Sequence, residues 1–427
     1  MSPTFGFIDP NLAAELTLEE PRMADPAPSR SASEALATPL PRVLRPQRAL
    51  PSEAVRPTRA EVNLAHLRHN LRVLQRAAAG APVWGVLKAD GYGHGAKAVA
   101  RTLERAGAAG VCVALLEEAI ELRQAGIRAP ILVMGGYYGR AWGELLRHDL
   151  TPVVHDPGQV EALAQEVRYS GSEPVRVHLK VDTGMSRLGA LPRDLPGVAD
   201  ALSRYPEVRL EGLMTHFACA DEGEPELLDA QLDSFDEATR HLKSLGFSAS
   251  VRHAANSAAL LRSPRARLDL VRPGIALFGV SPAPGLSNEL RPAMRVRTEI
   301  VALRDVPSGQ AVGYGATFRA RRPTRVATIA MGYADGLSRA LSNRGEVLVA
   351  GRRAPIIGVV SMDMTMIDVT DVPVARVGDE CVVLGAQKGP CGEDHVSAEE
   401  MARRLGTIPW EVLTSISRRV PRFYREP

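Results

Sequence analysis

Pro82-Val83-Trp84-Gly85-Val86-Leu87-Lys88-Ala89-Asp90-Gly91-Tyr92-Gly93-His94-Gly95 is a short apolar run that stops on a lysine and enters a glycine-rich turn. An apolar run of that length, bounded by turn residues, is the pattern of a strand buried on both faces. Beyond the turn, Ala96, Val99, Ala100 and Leu103 share one face of a helix, and Val111 to Leu115 is the next apolar run. Strand, polar turn, helix and strand make one β-α unit. Lys88 at the strand end is either a surface lysine opening a turn or an amine placed to condense with an aldehyde cofactor.

The unit recurs. Candidate strands are Val83 to Leu87, Val111 to Leu115, Ile131 to Met134, Pro152 to Val154, Val175 to Val181, Leu210 to Met214, a weak one near Ser250, and Leu268 to Val271. Helical stretches lie between them, such as Glu117 to Ala125, which Gly126 would end as a C′ residue. Eight units in roughly 235 residues is the size of a (β/α)8 barrel, and the spacing predicts one over residues 58–293. An open, doubly wound sheet is the alternative, but no G-x-G-x-x-G follows the first strand. From 294 to 427 the texture changes to β-branched runs with glycine punctuation: Arg295 to Val301, Arg325 to Ala330, Glu346 to Val349, Ile356 to Val360 and Glu380 to Leu384. That is a mostly-β C-terminal domain, closed by an amphipathic helix over Ser397 to Leu405.

Composition narrows the function classes. The 427 residues are 45% hydrophobic and 24% charged, ordinary for a soluble protein of two domains. No run approaches the roughly 18 apolar residues of a membrane span. Residues 1–57 lack an apolar signal region and read as a disordered extension. Its arginines, from Arg42 onward, alternate with prolines, and with a net charge of only +3 they argue for a solvated arm and no nucleic acid. Cys112, Cys219, Cys381 and Cys391 form no C-x-x-C pair, so neither a metal site nor a disulfide framework is expected, and a reducing cytoplasm fits.

In a barrel the chemistry sits at the C-terminal ends of the strands. There this chain places Lys88, then Lys180 with Asp182-Thr183-Gly184-Met185-Ser186-Arg187, then Thr215-His216, His253-Ala254-Ala255-Asn256-Ser257 and Arg272-Pro273-Gly274-Ile275. Val312-Gly313-Tyr314-Gly315, Met331-Gly332-Tyr333-Ala334-Asp335-Gly336 and Ser361-Met362-Asp363-Met364 follow in the second domain. In this order and spacing, from Arg59 to Tyr424, the chain resembles the alanine racemases. The resemblance implies a pyridoxal 5′-phosphate enzyme that interconverts L- and D-alanine for peptidoglycan. It also implies a small amino-acid substrate and a homodimer whose active sites draw on both chains.

Residue by residue, the resemblance makes Lys88 the Schiff-base lysine and one of two catalytic bases, with Tyr314 of the partner subunit the other. Two are needed, because inverting a stereocentre takes a proton from one face of the α-carbon and returns one to the other. A phenol with an ordinary pKa of about 10 needs a neighbour to act near neutrality, and His216 matches the histidine that supplies it. Arg272 matches the arginine facing the pyridine nitrogen, where a guanidinium can only donate. Ser257, Gly274, Ile275 and Tyr92 match phosphate contacts, with Met134 and Asn256 also in the cofactor set; Asn256 would equally serve as a helix N-cap. Arg187, aided by the Met362 N–H, matches the grip on the substrate carboxylate. Lys180 matches a lysine open to carbamylation, the alternative being a lysine paired with a carboxylate.

One position departs from the family. Thr407-Ile408-Pro409-Trp410-Glu411 carries a tryptophan where a tyrosine is usual. Trp410 can donate from its ring nitrogen but has no hydroxyl, so it reads as a gate residue or a core tryptophan. Racemisation of serine or of a wider set of amino acids is therefore one alternative. A decarboxylase would carry a carboxylate in place of Arg272, and a non-catalytic cofactor carrier would lack the second domain and Tyr314.

Overall fold

The computed structural model describes residues 54–135, 141–221 and 225–426. The expected extension, residues 1–57, lies outside them except for 54–57. The described residues fall in one unit. Its first strand, β1 (Arg59–Asn63), does not enter the barrel. It pairs antiparallel with Met294–Val306 and parallel with Arg422–Arg425, next to the edge of the C-terminal sheet. Glu61 on β1 is buried among arginines, accepting from Arg297 at 2.9 Å and Arg425 at 2.7 Å, with Arg295 at 3.2 Å. A buried carboxylate is tolerable only with such partners.

The barrel strands follow: β2 (Trp84–Val86), β3 (Gly110–Val113), β4 (Ile131–Val133), β5 (Thr151–Val154), β6 (Val175–Lys180), β7 (Val208–Met214) and β8 (Val251–His253). All pair in parallel and in chain order. Helices return between most of them, each burying one apolar stripe; Ala96–Arg105 buries Ala96, Val99, Ala100, Thr102 and Leu103. The expected eighth strand, Leu268 to Val271, is not one. Leu268 takes a left-handed φ of 47° and Pro273 has no N–H to give, which leaves one isolated bridge, Val83 to Val271. This irregular stave still closes the ring. Trp84 donates to Val271 O and Val86 to Pro273 O on one side, and Asp269 donates to Arg252 O and Arg272 to Ala255 O on the other.

The second domain is the predicted β structure around the 13-residue strand Met294–Val306. Ile356 to Val360, expected as a strand, contributes only an isolated bridge at Ile356, and the neighbouring strands are Arg352–Pro355 and Thr365–Asp368. The expected helix spans Ala398–Leu405, with the Ser397 side chain as its cap. A further helix, Pro409–Ser415, follows, and the strand Arg422–Arg425 brings the chain back to β1. Among the described residues no helix is long and apolar enough to cross a membrane.

Candidate active site

Among the described residues, the turn after β2 holds the longest left-handed run of backbone. Ala89 (φ 52°, ψ 49°), Asp90 (φ 56°, ψ 47°) and Gly91 (φ 61°, ψ 49°) are successive left-handed residues, and Tyr92 follows at φ 51°. Left-handed L-residues cost roughly 1–2 kcal/mol each, so the surroundings must hold them. Gly91 N–H donates to Leu87 O (2.8 Å), Gly93 N–H to Ala89 O (2.9 Å) and Ala96 N–H to the Asp90 carboxylate (2.7 Å). Glu118, from the next unit, accepts from Ala89 N–H at 2.6 Å and from Ala114 N–H at 2.9 Å. The turn leaves Lys88 facing a cavity and drops the Tyr92 ring onto Phe278, centroids 5.0 Å apart.

That cavity, of about 120 Å³, opens at the C-terminal ends of the strands and is lined by Lys88, Tyr92, Met134, His216, Asn256, Ser257, Arg272, Gly274, Ile275 and Trp410. A larger one of about 420 Å³ lies between the barrel and the second domain, lined mostly by apolar groups and remote from this chemistry. Burial, and then the Arg187 guanidinium, lower the pKa of the Lys88 amine, with Glu118 opposing. The unprotonated, nucleophilic amine is correspondingly more accessible. Burial raises the Tyr92 phenol and keeps it a donor.

One wall gathers a hydroxyl and backbone donors. The Ser257 hydroxyl accepts from Gly274 N–H at 2.9 Å and Ala276 N–H at 3.3 Å, drawing two loops together. Ile275 N–H, at the start of a short 3-10 turn, meets no acceptor among the described residues. Gly274 leaves no room for a side chain while Tyr92 stays in place, because a Cβ there would stand 2.3 Å from the Tyr92 oxygen. Asn256 caps the following helix, its side chain accepting from Ala259 N–H at 2.9 Å.

On the floor, Arg272 is buried and its hydrogen bonds go to neutral acceptors: His253 Nδ1, Thr215 O (2.9 Å) and Ala254 O (3.2 Å). Burial brings its pKa down to about 10, so it remains a cation near neutrality. His253 Nε2 meets His178 Nδ1 at 2.8 Å, and His178 Nε2 lies 3.6 Å from Glu211, so a line of rings anchors the guanidinium. Burial, followed by nearby cations beginning with Arg272, holds His253 and His216 well below the usual histidine range, and both are neutral.

Residues 62–282 match the alanine racemase N-terminal domain family and residues 293–424 the alanine racemase C-terminal domain family. The chain belongs to the alanine racemase family. An alanine racemase of Sorangium cellulosum is 63% identical over 379 residues, 87% of this chain and all of that protein. Among solved structures, the alanine racemase of Bacillus anthracis with bound L-Ala-P superposes with a TM-score of 0.82 at 36% identity, covering 87% of this chain and 96% of that one. The alanine racemase of Streptomyces coelicolor gives 0.81 at 37% identity, over 88% of this chain and 100% of that one.

Ten of the residues singled out from sequence thus line one cavity, and four do not. Arg187 is exposed on the turn after β6, which Asp182 shapes by accepting from Gly184, Met185 and Ser186 N–H at 2.9, 2.9 and 3.1 Å. Lys180 is buried beside it, its amine brought down to about 8 by burial and by Arg187 and Arg272. Tyr314 and Met362 lie in the second domain, 72% and 52% exposed, and line no part of the cavity in their own chain. Sequence reading missed Asp221, Pro282 and Val86 in the lining, and Glu118 behind the lysine. An acid in a helix first turn, like Glu118, looks the same at any helix start.

Proposed function

We propose that the protein interconverts L- and D-alanine, with pyridoxal 5′-phosphate as its cofactor and as a homodimer whose sites are completed by the partner chain. Its role is to supply D-alanine for peptidoglycan from the cytoplasm. The observation that carries this reading is the Lys88 amine, lowered in pKa, on the same small cavity as a buried guanidinium and a wall of hydroxyl and backbone donors.

The lining suits that cofactor. Ile275 N–H and the Ser257 and Tyr92 hydroxyls would take the phosphate. Arg272 would donate to the pyridine nitrogen and, with no proton to release at neutral pH, leave that nitrogen unprotonated. Met134 and Trp410 would border the ring. Trp410 has no hydroxyl to add to the phosphate. When bound, pyridoxal phosphate supplies an electron sink that acidifies the α-proton of an attached amino acid, a sink weakened by Arg272 so that reprotonation prevails over side reactions.

Lys88 serves one face of the α-carbon, taking the proton from one enantiomer and supplying it when that enantiomer is formed in the reverse direction. Tyr314 of the partner subunit serves the other face, with neutral His216 as its acceptor partner. The exposure of Tyr314 in its own chain favours this shared arrangement. Arg187 grips the substrate carboxylate, helped by the Met362 N–H of the partner subunit. Lys180, with its amine near 8, is half neutral at that pH and able to take up CO2 as a carbamate, which would give Arg187 an anionic anchor.

The deciding experiment is chiral chromatography of L-alanine incubated with the purified, cofactor-reconstituted protein, with L-serine and L-lysine in parallel. D-alanine approaching an equal mixture is expected. Faster turnover of L-serine would favour the broader racemase that the Trp410 indole in the cavity wall suggests. No D-product, despite borohydride trapping of the cofactor on Lys88, would sink the reading. Depletion in the cell should create a D-alanine requirement.

A further inference from the structure

Asp335 is fully buried in the second domain, and both its carboxylate oxygens are engaged. Arg56 clamps it with two bonds, Nη1 to Oδ2 at 3.0 Å and Nη2 to Oδ1 at 2.6 Å. Gly332 N–H donates to Oδ2 at 3.1 Å and Arg419 Nε reaches Oδ1 at 3.0 Å. Arg419 also holds Asp363, Nη2 to Oδ1 at 2.6 Å. Asp363 is the immediate neighbour of Met362. Arg56 precedes the first family match, which begins at residue 62.

The turn that Asp335 anchors lies directly against the Met362 loop. Tyr333 N–H donates to Ser361 O and Ala334 N–H to Met362 O, each at 3.0 Å. A Cβ on Gly332 would stand 2.3 Å from Ser361 O and 2.4 Å from Met362 O, so the two backbones are in contact. Among the described residues the Met362 N–H donates to nothing. The loop that presents this amide is thus held at two points, by the 332–336 turn beneath it and by Arg419 through Asp363. Both points converge on one buried carboxylate, which Arg56 completes. A bidentate guanidinium fixes orientation as well as charge.

We propose that Arg56, Asp335 and Arg419 form a clasp that sets the position of the Met362 N–H, making Arg56 a positioning residue for the substrate carboxylate. The second half of this rests on the role given to Met362 above. Loss of Arg56 leaves Asp335 still paired with Arg419, so Arg56→Ala isolates positioning better than removing the aspartate, which would strip Arg56 of its partner and leave Arg419 only Asp363.

The test uses the full-length holoenzyme as wild type, Arg56→Ala and Arg56→Lys. Hydrogen exchange is followed at residues 361–364 and 332–336, with barrel strand Val175–Lys180 as the control. In Arg56→Ala, exchange at 361–364 should rise while the control is unchanged, and KM for L-alanine should rise about tenfold with kcat nearly kept. Arg56→Lys, with one charge but no fork, should recover part of both. Unchanged exchange at 361–364 overturns the clasp. Faster exchange with KM unaltered, or a fall in kcat alone, overturns the positioning role and leaves a structural ion pair. If the wild type does not racemise alanine, the functional reading has failed, and the exchange data alone decide whether the clasp holds Met362.

Discussion

Gly274 approaches Tyr92 so closely that the two cannot both carry side chains in their present places: a Cβ would lie 2.3 Å from the phenolic oxygen. Tyr92 cannot retreat easily, because its ring already rests on Phe278 at 5.0 Å. Gly274→Ala should therefore weaken cofactor binding about tenfold by displacing one hydroxyl donor, with the fold retained. Fluorescence titration of the apoprotein with pyridoxal phosphate measures this, and unchanged affinity would remove Tyr92 from the phosphate set.

Lys88→Ala should abolish turnover and borohydride trapping together. The left-handed turn behind it is held by bonds from Leu87, Ala89, Asp90 and Glu118, none of which uses the lysine side chain, so the melting temperature should scarcely move. A variant that still racemises would overturn the assignment of the base.

Tyr314→Phe should slow racemisation on the order of a hundred- to ten-thousand-fold, the usual loss for a general base. Solvent exchange of the α-proton should survive for one enantiomer only. Equal loss of exchange from both would point to one base. Since Tyr314 stands exposed in its own chain, activity should also fall on dilution below the dimer constant.

Lys180 gives a pH signature with a definite sign. Its amine titrates near 8 in the folded protein against an ordinary value of 10.5. As pH falls from about 10.5 to about 8 the unfolded chain takes up a proton that the folded chain does not, so stability declines across that window and then levels off. Lys180→Met should flatten this part of the profile of melting temperature against pH. CO2-free buffer should lower activity if the carbamate forms, and intact-mass measurement would detect its loss.

The rhythm of the barrel was legible because strands buried on both faces must be apolar runs, and seven of the eight expected appear near their places. The eighth was not, since Leu268 to Val271 has the composition of a strand but is bent by a left-handed Leu268 and closed by Pro273. Nor could Ala60-Glu61-Val62 reveal that it pairs with Arg295 and Arg422, more than two hundred residues away; short-range pattern carries no record of a distant partner. Among site residues, those at strand ends were visible because the barrel dictates where to look. The left-handed run from Ala89 to Tyr92 was hidden, because Ala and Asp do not announce positive φ. Glu118 and Asp221 were hidden because their neighbours are set by tertiary packing.

The placement of β1 has a consequence for synthesis on the ribosome. Arg59–Asn63 precedes every barrel strand in the chain, yet its neighbours are Met294–Val306 and Arg422–Arg425, the latter made hundreds of residues later. Until then β1 has at least one bare edge, and Glu61 lacks Arg425. The barrel strands can pair before Arg422 has been made, but the sheet of the second domain cannot be completed until it has. A nascent chain stalled or truncated before Arg422 presents an open strand edge, the kind of surface on which chains pair wrongly with one another.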